Sequence, residues 1–289
     1  MSLTNKIDFA LIIRVRNANP NGDPLNGNRP RVDYNGIGDI TDVCLKRKIR
    51  DRLIERHQSL DKKDREGQAV FVQSDDRNID GEPSLRVRAE SKVNGLGKDA
   101  FKAKADKSKT AADACDKWID VRSFGQVFAF GKSSDASGVS IPIRGPVTIQ
   151  SAFSVEPVTT TSIQITKSVS GEGDGKKRGS DTMGMKHRVD EGVYFTYGSM
   201  NPQLAERTGF SDEDAETIRG ILPRLFENDA SSARPAGSLE VVKVIWWQHN
   251  CRAGTHSSAK VHRSLHVEPD GAYSLDKLAN MAAEEIEGF

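Results

Sequence analysis

The chain has 289 residues, enough for one large domain or two small ones with a sizeable core. Its 42 Lys and Arg against 41 Asp and Glu leave a formal net charge of +1, which excludes a uniformly basic coat for nucleic acid. Three scattered cysteines without a CxxC pair support neither a disulfide framework nor a cysteine-rich zinc site. No run is long and apolar enough to span a membrane and the N-terminus lacks an apolar signal core, so a cytoplasmic protein with no membrane partner is expected.

In chain order, Ile7–Ile13 is a short, mostly apolar run that reads as a buried strand. It leads into Asn17–Ile40, a loop crowded with Asn, Gly, Pro and Asp. Thr41 or Asp42 can cap the helix that follows, on which Leu45, Ile49 and Leu53 form an apolar stripe. Lys46, Arg47 and Arg50 fall away from that stripe, with Lys48 and Arg52 at its flanks. Two readings stay open. A basic helical face is often merely solvated, whereas loop amides and a helix N-terminus also make a seat for phosphate.

Beyond the helix, Ala69–Val72 predicts a short strand. Ser74–Lys109 loses apolar periodicity and reads as a mobile insertion, partly helical around Ala100–Lys107 and basic from Lys98 to Lys109. Trp118, Val121 and Phe124 follow helical spacing and run into Gly125–Gly131. Strand patterns recur over Val139–Ile149, Gln150–Val158, Thr159–Thr166 and Gly192–Gly198. Between the last two lies a glycine-rich basic segment, which predicts a long projecting hairpin with its tip near Gly171–Gly179.

Ser211–Asp214 carries a capping-box signature for a helix buried through Ile218, Ile221, Leu222 and Leu225, with Pro223 a possible kink. Leu239–Trp247 predicts a buried strand in which Trp246 and Trp247 face opposite sides. A final helix is expected over Ser274–Glu287. The succession βαββαβ is the α+β, ferredoxin-like plan of RNA-recognition motifs, which by itself assigns no function.

Candidate chemistry is sparse. Asp23, Asp33, Asp39 and Asp42 could supply carboxylates to a divalent ion, but their spacing matches no metal-loop signature. His249, His256, His262 and His266 lack an HExxH or comparable ligand set, so a structural role is the default. No P-loop or dinucleotide fingerprint is present, and no cofactor is expected.

Several blocks together carry a family resemblance. They are Asn19-Pro20-Asn21-Gly22-Asp23-Pro24, Thr41-Asp42-Val43-Cys44-Leu45-Lys46-Arg47-Lys48-Ile49-Arg50, Asp120-Val121-Arg122-Ser123-Phe124-Gly125-Gln126-Val127-Phe128, Ile143-Arg144-Gly145-Pro146-Val147 and Thr182-Met183-Gly184-Met185-Lys186-His187. In this order they resemble the backbone subunit of type I-C CRISPR Cascade, in the Cas-seven group of the RAMP superfamily.

The resemblance implies a single domain over 1–289, with a modified RNA-recognition-motif palm, a finger-like insertion at about 74–113 and a thumb-like hairpin at about 159–190. It implies a non-catalytic protein whose copies line one CRISPR RNA and present it to target DNA, beside other Cascade subunits. RNA-binding residues implied are Asn19, Asn21, Lys46, Arg47, Arg50, Ser123, Gly125, Gln126, Arg144, Lys167, Met183, Lys186 and His187. The alternative is a metal-dependent ribonuclease of the RAMP type using a loop aspartate: Asp23, Asp33 or Asp39.

Overall fold

The computed structural model describes residues 1–130, 139–169 and 183–289. The predicted hairpin tip at Gly171–Gly179 and the matched Thr182 lie outside the described residues.

Strands and helices alternate in a mixed α+β fold around one antiparallel sheet. The first part of the chain supplies β1 (Ile7–Ala18), the short pair β2 (Gly22–Asp23) and β3 (Arg29–Pro30), β4 (Ile37–Ile40) and the long helix α1 (Asp42–Ser59). Next come α2 (Leu85–Glu90), α3 (Lys107–Lys117), α4 (Ile119–Phe124) and the paired strands β5 (Gly125–Phe130) and β6 (Val139–Arg144). Strands β7 (Val147–Ile149), β8 (Ala152–Pro157), β9 (Thr160–Thr166) and β10 (Met183–Met200) follow. The remainder is α5 (Pro202–Thr208), α6 (Asp212–Ile221), β11 (Leu239–Gln248), α7 (Ser258–His262), β12 (Leu265–Val267), β13 (Tyr273–Leu275) and β14 (Glu284–Glu287).

The sheet runs β14–β11–β1–β10–β8–β4, and β7 and β9 also pair with β10 at its two ends. The register alternates faces as a period of two requires. Phe9, Leu11, Ile13 and Val15 of β1 point with Trp246 and Val244 of β11 into the main core, beside Leu45, Ile49 and Leu53 of α1 and Ile218 of α6. Ala10 and Ile12 point the other way with Ile245 and Trp247, under α7, β12 and β13. The two tryptophans are therefore both buried, each in its own core.

A satellite core lies beside α1. Phe71, Ala89, Phe101, Cys115, Trp118, Val121, Phe128 and Ile141 pack together from α2, α3, α4, β5, β6 and the segments between them. The sequence at Ser74–Lys109 predicts a mobile insertion, yet here Ala89 and Phe101 are buried. One or two apolar side chains per turn suffice, because the rest of the lobe is supplied from elsewhere in the chain.

Three expectations need correction. Ala69–Val72 forms no strand: Ala69 makes a single bridge to Trp118, and the next amides are taken by a side chain. Helix around Ala100–Lys107 gives way to a 3-10 turn at Lys98–Phe101. Asp106 then caps α3 by accepting from the Ser108 and Lys109 amides. The final helix is absent. Tyr273–Leu275 pairs with β12, and Glu284–Glu287 pairs with the open edge of β11. Helix-favouring Ala and Glu lose to edge pairing, which also matches Glu287 with Lys243 and lays Ile286 against the core.

Candidate nucleic-acid interface

The geometry is fixed first at the entry to α1. Thr41 caps the helix by accepting from the Cys44 amide at 3.2 Å. Asn21 in turn accepts from both the amide and the hydroxyl of Thr41, at 3.0 and 2.8 Å. Asn19 is buried and donates to the carbonyl of Asn28 at 2.6 Å, which closes the loop beneath. Both asparagines thus build the loop that frames the helix N-terminus.

Against this frame opens a cavity of about 520 Å³, lined among others by Asn21, Gly22, Thr41, Arg31, Arg47 and Arg234. Each arginine is anchored by carboxylates: Arg31 by Asp23 at 3.3 Å, Arg47 by Asp51 at 3.1 Å and Asp229 at 4.0 Å, Arg234 by Asp229 at 2.9 Å. All three stay partly exposed, and a guanidinium with five donors keeps several free when one partner is satisfied. The helix dipole and the unfilled guanidinium donors favour an anion at this mouth, although Asp42 also lines it and the amides of Thr41, Asp42 and Cys44 are already taken by side chains. A larger cleft of about 940 Å³ lies between α1 and α6, but acids (Asp212, Glu213, Glu216) share it with Arg52 and Arg56, so it offers no net attraction to a polyanion.

The rest of the basic helix is neutralised internally to a degree that periodicity does not reveal. Lys46 pairs with Asp42 at 2.9 Å and remains partly exposed. Lys48 is fully buried against Asp229; burial disfavours its charged form and the aspartate opposes that shift. Arg52 is buried and grips Glu55. Arg50 donates to Asp120 at 2.9 Å and lies over the Phe124 ring, 5.2 Å from its centroid. Of the three predicted phosphate-gripping residues, Arg47 lines the cavity, Lys46 flanks it, and Arg50 is turned towards the satellite core.

A second group gathers at the crossing of β5 and β6. Gly125 has φ +81°, and a Cβ there would sit 2.3 Å from the Ile143 carbonyl oxygen. Gly145 is equally tight against the Ser123 carbonyl, so the two backbones touch where only glycine fits. This contact sets Gln126 half-exposed and Arg144 exposed at the same end of the ribbon. Ser123 is buried and donates to the Ile119 carbonyl at 2.6 Å, so it braces α4 instead of lining a groove.

The third group sits on the ribbon of β9 and β10. Register places Ile163 opposite Lys186 and Ile165 opposite Gly184 on one side, with Met183, Met185 and His187 opposite Thr166, Gln164 and Ser162 on the other. Ile163, Ile165, Met183 and Met185 are all exposed, and Lys167 is exposed beyond β9. His187 is buried at the root, where its Nδ1 lies 2.8 Å from the Ser162 hydroxyl. Strand β3 packs beside β10, which brings the α1 loop next to the ribbon.

Two of the three loop aspartates are engaged, and the third, Asp39, keeps a buried carboxylate oxygen without a hydrogen-bond partner among the described residues. Asp23 accepts from the Leu25 amide, and Asp33 accepts from the Asn35 and Ile37 amides at 2.8 and 2.9 Å. Asp39 is half-buried; burial raises its carboxyl above the usual range, opposed by Ser151 and Arg31. Among the described residues no group of three or more His, Cys, Asp and Glu is placed to share one metal ion. No helix among them is long and apolar enough to cross a membrane.

Sequence reading missed two members of the cavity. Arg31 carries a signal, since it is basic within the same loop. Arg234 carries none: it joins Arg47 through Asp229, which pairs with Arg234 at 2.9 Å, with Arg47 at 4.0 Å and with the buried Lys48.

The entry to α1 is thus a capped helix mouth lined by arginines, beside an exposed apolar ribbon. Residues 5–287 match the family described as CRISPR-associated protein Cas7, and the chain belongs to that family. The CRISPR-associated protein Cas7 of Haloferax volcanii is 28% identical over 301 residues, covering 99% of this chain and 82% of that protein. A solved CRISPR RNA-guided surveillance complex, pre-nicking, is similar with a TM-score of 0.49 and 19% identity over 84% of this chain and 75% of that one. Another CRISPR RNA-guided surveillance complex gives the same TM-score, 0.49, with 17% identity over 92% of this chain and 77% of that one.

Proposed function

We propose that this protein is the guide-RNA-binding backbone subunit of a CRISPR surveillance complex of type I-C, and that it acts without cutting RNA. The observation that carries the reading is the cavity at the N-terminus of α1, where Arg31, Arg47 and Arg234 converge on a mouth framed by Asn21 and Thr41. Family membership supports it. The strand order β11–β1–β10–β8, with α1 and α6 buried on one face, supports a palm of the RNA-recognition-motif type.

In this reading the phosphates of the guide cross the α1 mouth, and Lys46 and Arg47 contact them beside Arg31 and Arg234. Such contacts are independent of base sequence and leave base edges free to pair with target DNA. Gln126 and Arg144 extend the path along β5 and β6. The ribbon of β9 and β10 reaches a neighbouring copy, with Lys167, Met183 and Lys186 at the nucleotide it displaces and His187 holding the root. A two-stranded ribbon with apolar side chains on both sides is poorly stable alone and gains from a partner surface. Arg50, Ser123 and Gly125 act indirectly, by setting the position of α4 and β5.

The test uses labelled RNAs of increasing length. Complexes are expected to grow stepwise with length, and the alanine variants of Arg31, Arg47 and Arg234 are each expected to lower the salt slope of binding by about 0.7. A fixed stoichiometry at every length, or slopes identical to the parent, would overturn the reading. Cleavage of guide-complementary RNA with Mg²⁺ that disappears in Asp23→Ala, Asp33→Ala or Asp39→Ala would replace it with the ribonuclease alternative.

A further inference from the structure

Lys48 belongs to the basic helix, yet its side chain is only 1% exposed and reaches no ligand at the mouth. Its partner is Asp229, in the segment 227–237 that also carries Arg234. The apolar residues of that segment are alanines, Pro235 and Gly237, so it has little surface to bury. Polar contacts hold it instead. The amides of Asn19 and Arg16, at the end of β1, donate to the carbonyls of Ala233 at 2.9 Å and Ser238 at 2.8 Å. Asn228 donates to Glu55 of α1 at 3.3 Å, and Asp229 makes the deeper tie, to Lys48.

The two oxygens of Asp229 are divided between partners. Oδ2 pairs with Lys48 and accepts from Nε of Arg234 at 2.9 Å, while Oδ1 lies 4.0 Å from Arg47. Side-chain exposure climbs from 1% at Lys48 through 12% at Asp229 to 25% at Arg234 and 35% at Arg47, so the network runs from the interior outwards to the mouth. Arg234 spends only Nε on the carboxylate, and among the described residues its terminal nitrogens have no hydrogen-bond partner. With Asp51 on Arg47, three cations meet two carboxylates, and the network keeps a net positive charge.

We propose that the buried Lys48–Asp229 pair is the positioning device of the α1 mouth, fixing the segment 227–237 to α1 and aiming Arg234 and Arg47 at the anion. The proposal rests on the RNA-binding reading for the identity of that anion, a phosphate of single-stranded RNA. Neither member of the pair touches RNA. Their contribution is preorganisation: guanidiniums held in advance give up less side-chain freedom when a phosphate arrives.

The experiment uses the full chain and labelled single-stranded RNA titrated at several salt concentrations. Removing one member of a buried pair strands the other and threatens the fold, so the main variant carries Lys48→Met and Asp229→Asn together. Both charges go and the net charge is unchanged, and a urea midpoint near the parent's confirms folding. Losing the aim of both arginines should make the salt slope shallower by about 1.4, which shrinks the affinity loss between ~50 and ~200 mM salt about 7-fold. Arg234→Ala, expected to remove about 0.7 of slope in the parent, should change little in this background. Asp229→Asn alone is the second variant. It adds a positive charge beside the mouth, so a mere counter-charge role gives tighter binding, whereas positioning gives weaker binding. Relaxation of the Arg234 Nε–H without RNA should pass from ordered to mobile in both variants.

An unchanged slope in the main variant would overturn the proposal, as would tighter binding by Asp229→Asn or an equal effect of Arg234→Ala in both backgrounds. Failure of the RNA reading looks different: Arg47→Ala and Arg234→Ala would leave RNA binding by the parent unaltered. The positioning role then stands or falls on the mobility of the Arg234 Nε–H alone.

Discussion

Asp120 is the sharpest point at which to test how the satellite lobe is fastened to α1. Its carboxylate is fully buried and accepts from the Phe71 amide at 2.6 Å, the Val72 amide at 3.1 Å and Arg50 at 2.9 Å. Asp120→Ala leaves a largely buried guanidinium unpaired, which costs about 3–5 kcal/mol in comparable sites. It also orphans two backbone donors, each costing about 1–3 kcal/mol if no water reaches them. These contributions overlap, so the net expectation is about 4–6 kcal/mol, a large share of the 5–15 kcal/mol typical of a domain.

Urea unfolding followed by tryptophan fluorescence reads the loss, because Trp118 lies in the satellite core next to Asp120. Hydrogen exchange at Phe71 and Val72 locates it. The double variant Arg50→Ala/Asp120→Ala should cost less than the sum of the singles by about 1–3 kcal/mol, since each single change strands the other partner. Asp120→Ala costing under about 1 kcal/mol, with the two amides still protected, would refute the reasoning. The same experiment decides how Arg50→Ala is interpreted: lost RNA affinity that Asp120→Ala reproduces is a positional effect.

Two further outcomes are expected. Burial disfavours the ionised form of Asp8, yet His249, His262, Ser258 and Lys6 together hold its carboxyl below the usual range. A depressed folded value contributes stability above the unfolded value of about 3.9, lost as pH falls towards the folded value. Asp8→Asn should therefore flatten the decline in stability below about pH 4 while lowering stability at pH 7, read by urea titration at each pH. Gly125→Ala should cost at least about 1–3 kcal/mol, because φ is +81° and the new Cβ meets the Ile143 carbonyl; a thermal midpoint equal to the parent's would remove the close crossing of β5 and β6.

Local chemistry made some elements legible in the sequence. Helix α1 has a capping threonine and a clean apolar stripe, and α6 has a reciprocal capping box between Ser211 and Asp214. Adjacent Trp246 and Trp247 had to face opposite ways, although only tertiary structure says that each meets a core. Illegible features depend on partners distant in sequence. Whether Arg50 is free turns on Asp120, 70 residues away, and Arg234 joins the α1 mouth through Asp229. The C-terminal strand was unreadable for a related reason: its Ala and Glu favour helix, and only the vacant edge of β11 makes pairing preferable. Blocks of matched residues located the family, whereas the charge state of α1 required the fold.

Strand β10 runs without a break from Met183 to Met200, pairing with β9 at one end and with β1 along the other. Val189 and Tyr194 of this one strand are both planted in the main core, and Asp190 ties its middle to Thr161 and Arg188. The ribbon is therefore a cantilever, not a flap. A load applied near Met183 bends one continuous beam, with no loop at its base to absorb the displacement. Whatever seats against the ribbon pushes directly on the sheet that carries the α1 loop, so a contact near Met183 can be felt mechanically at the loop that leaves β1 opposite Val189, at the ribbon's root.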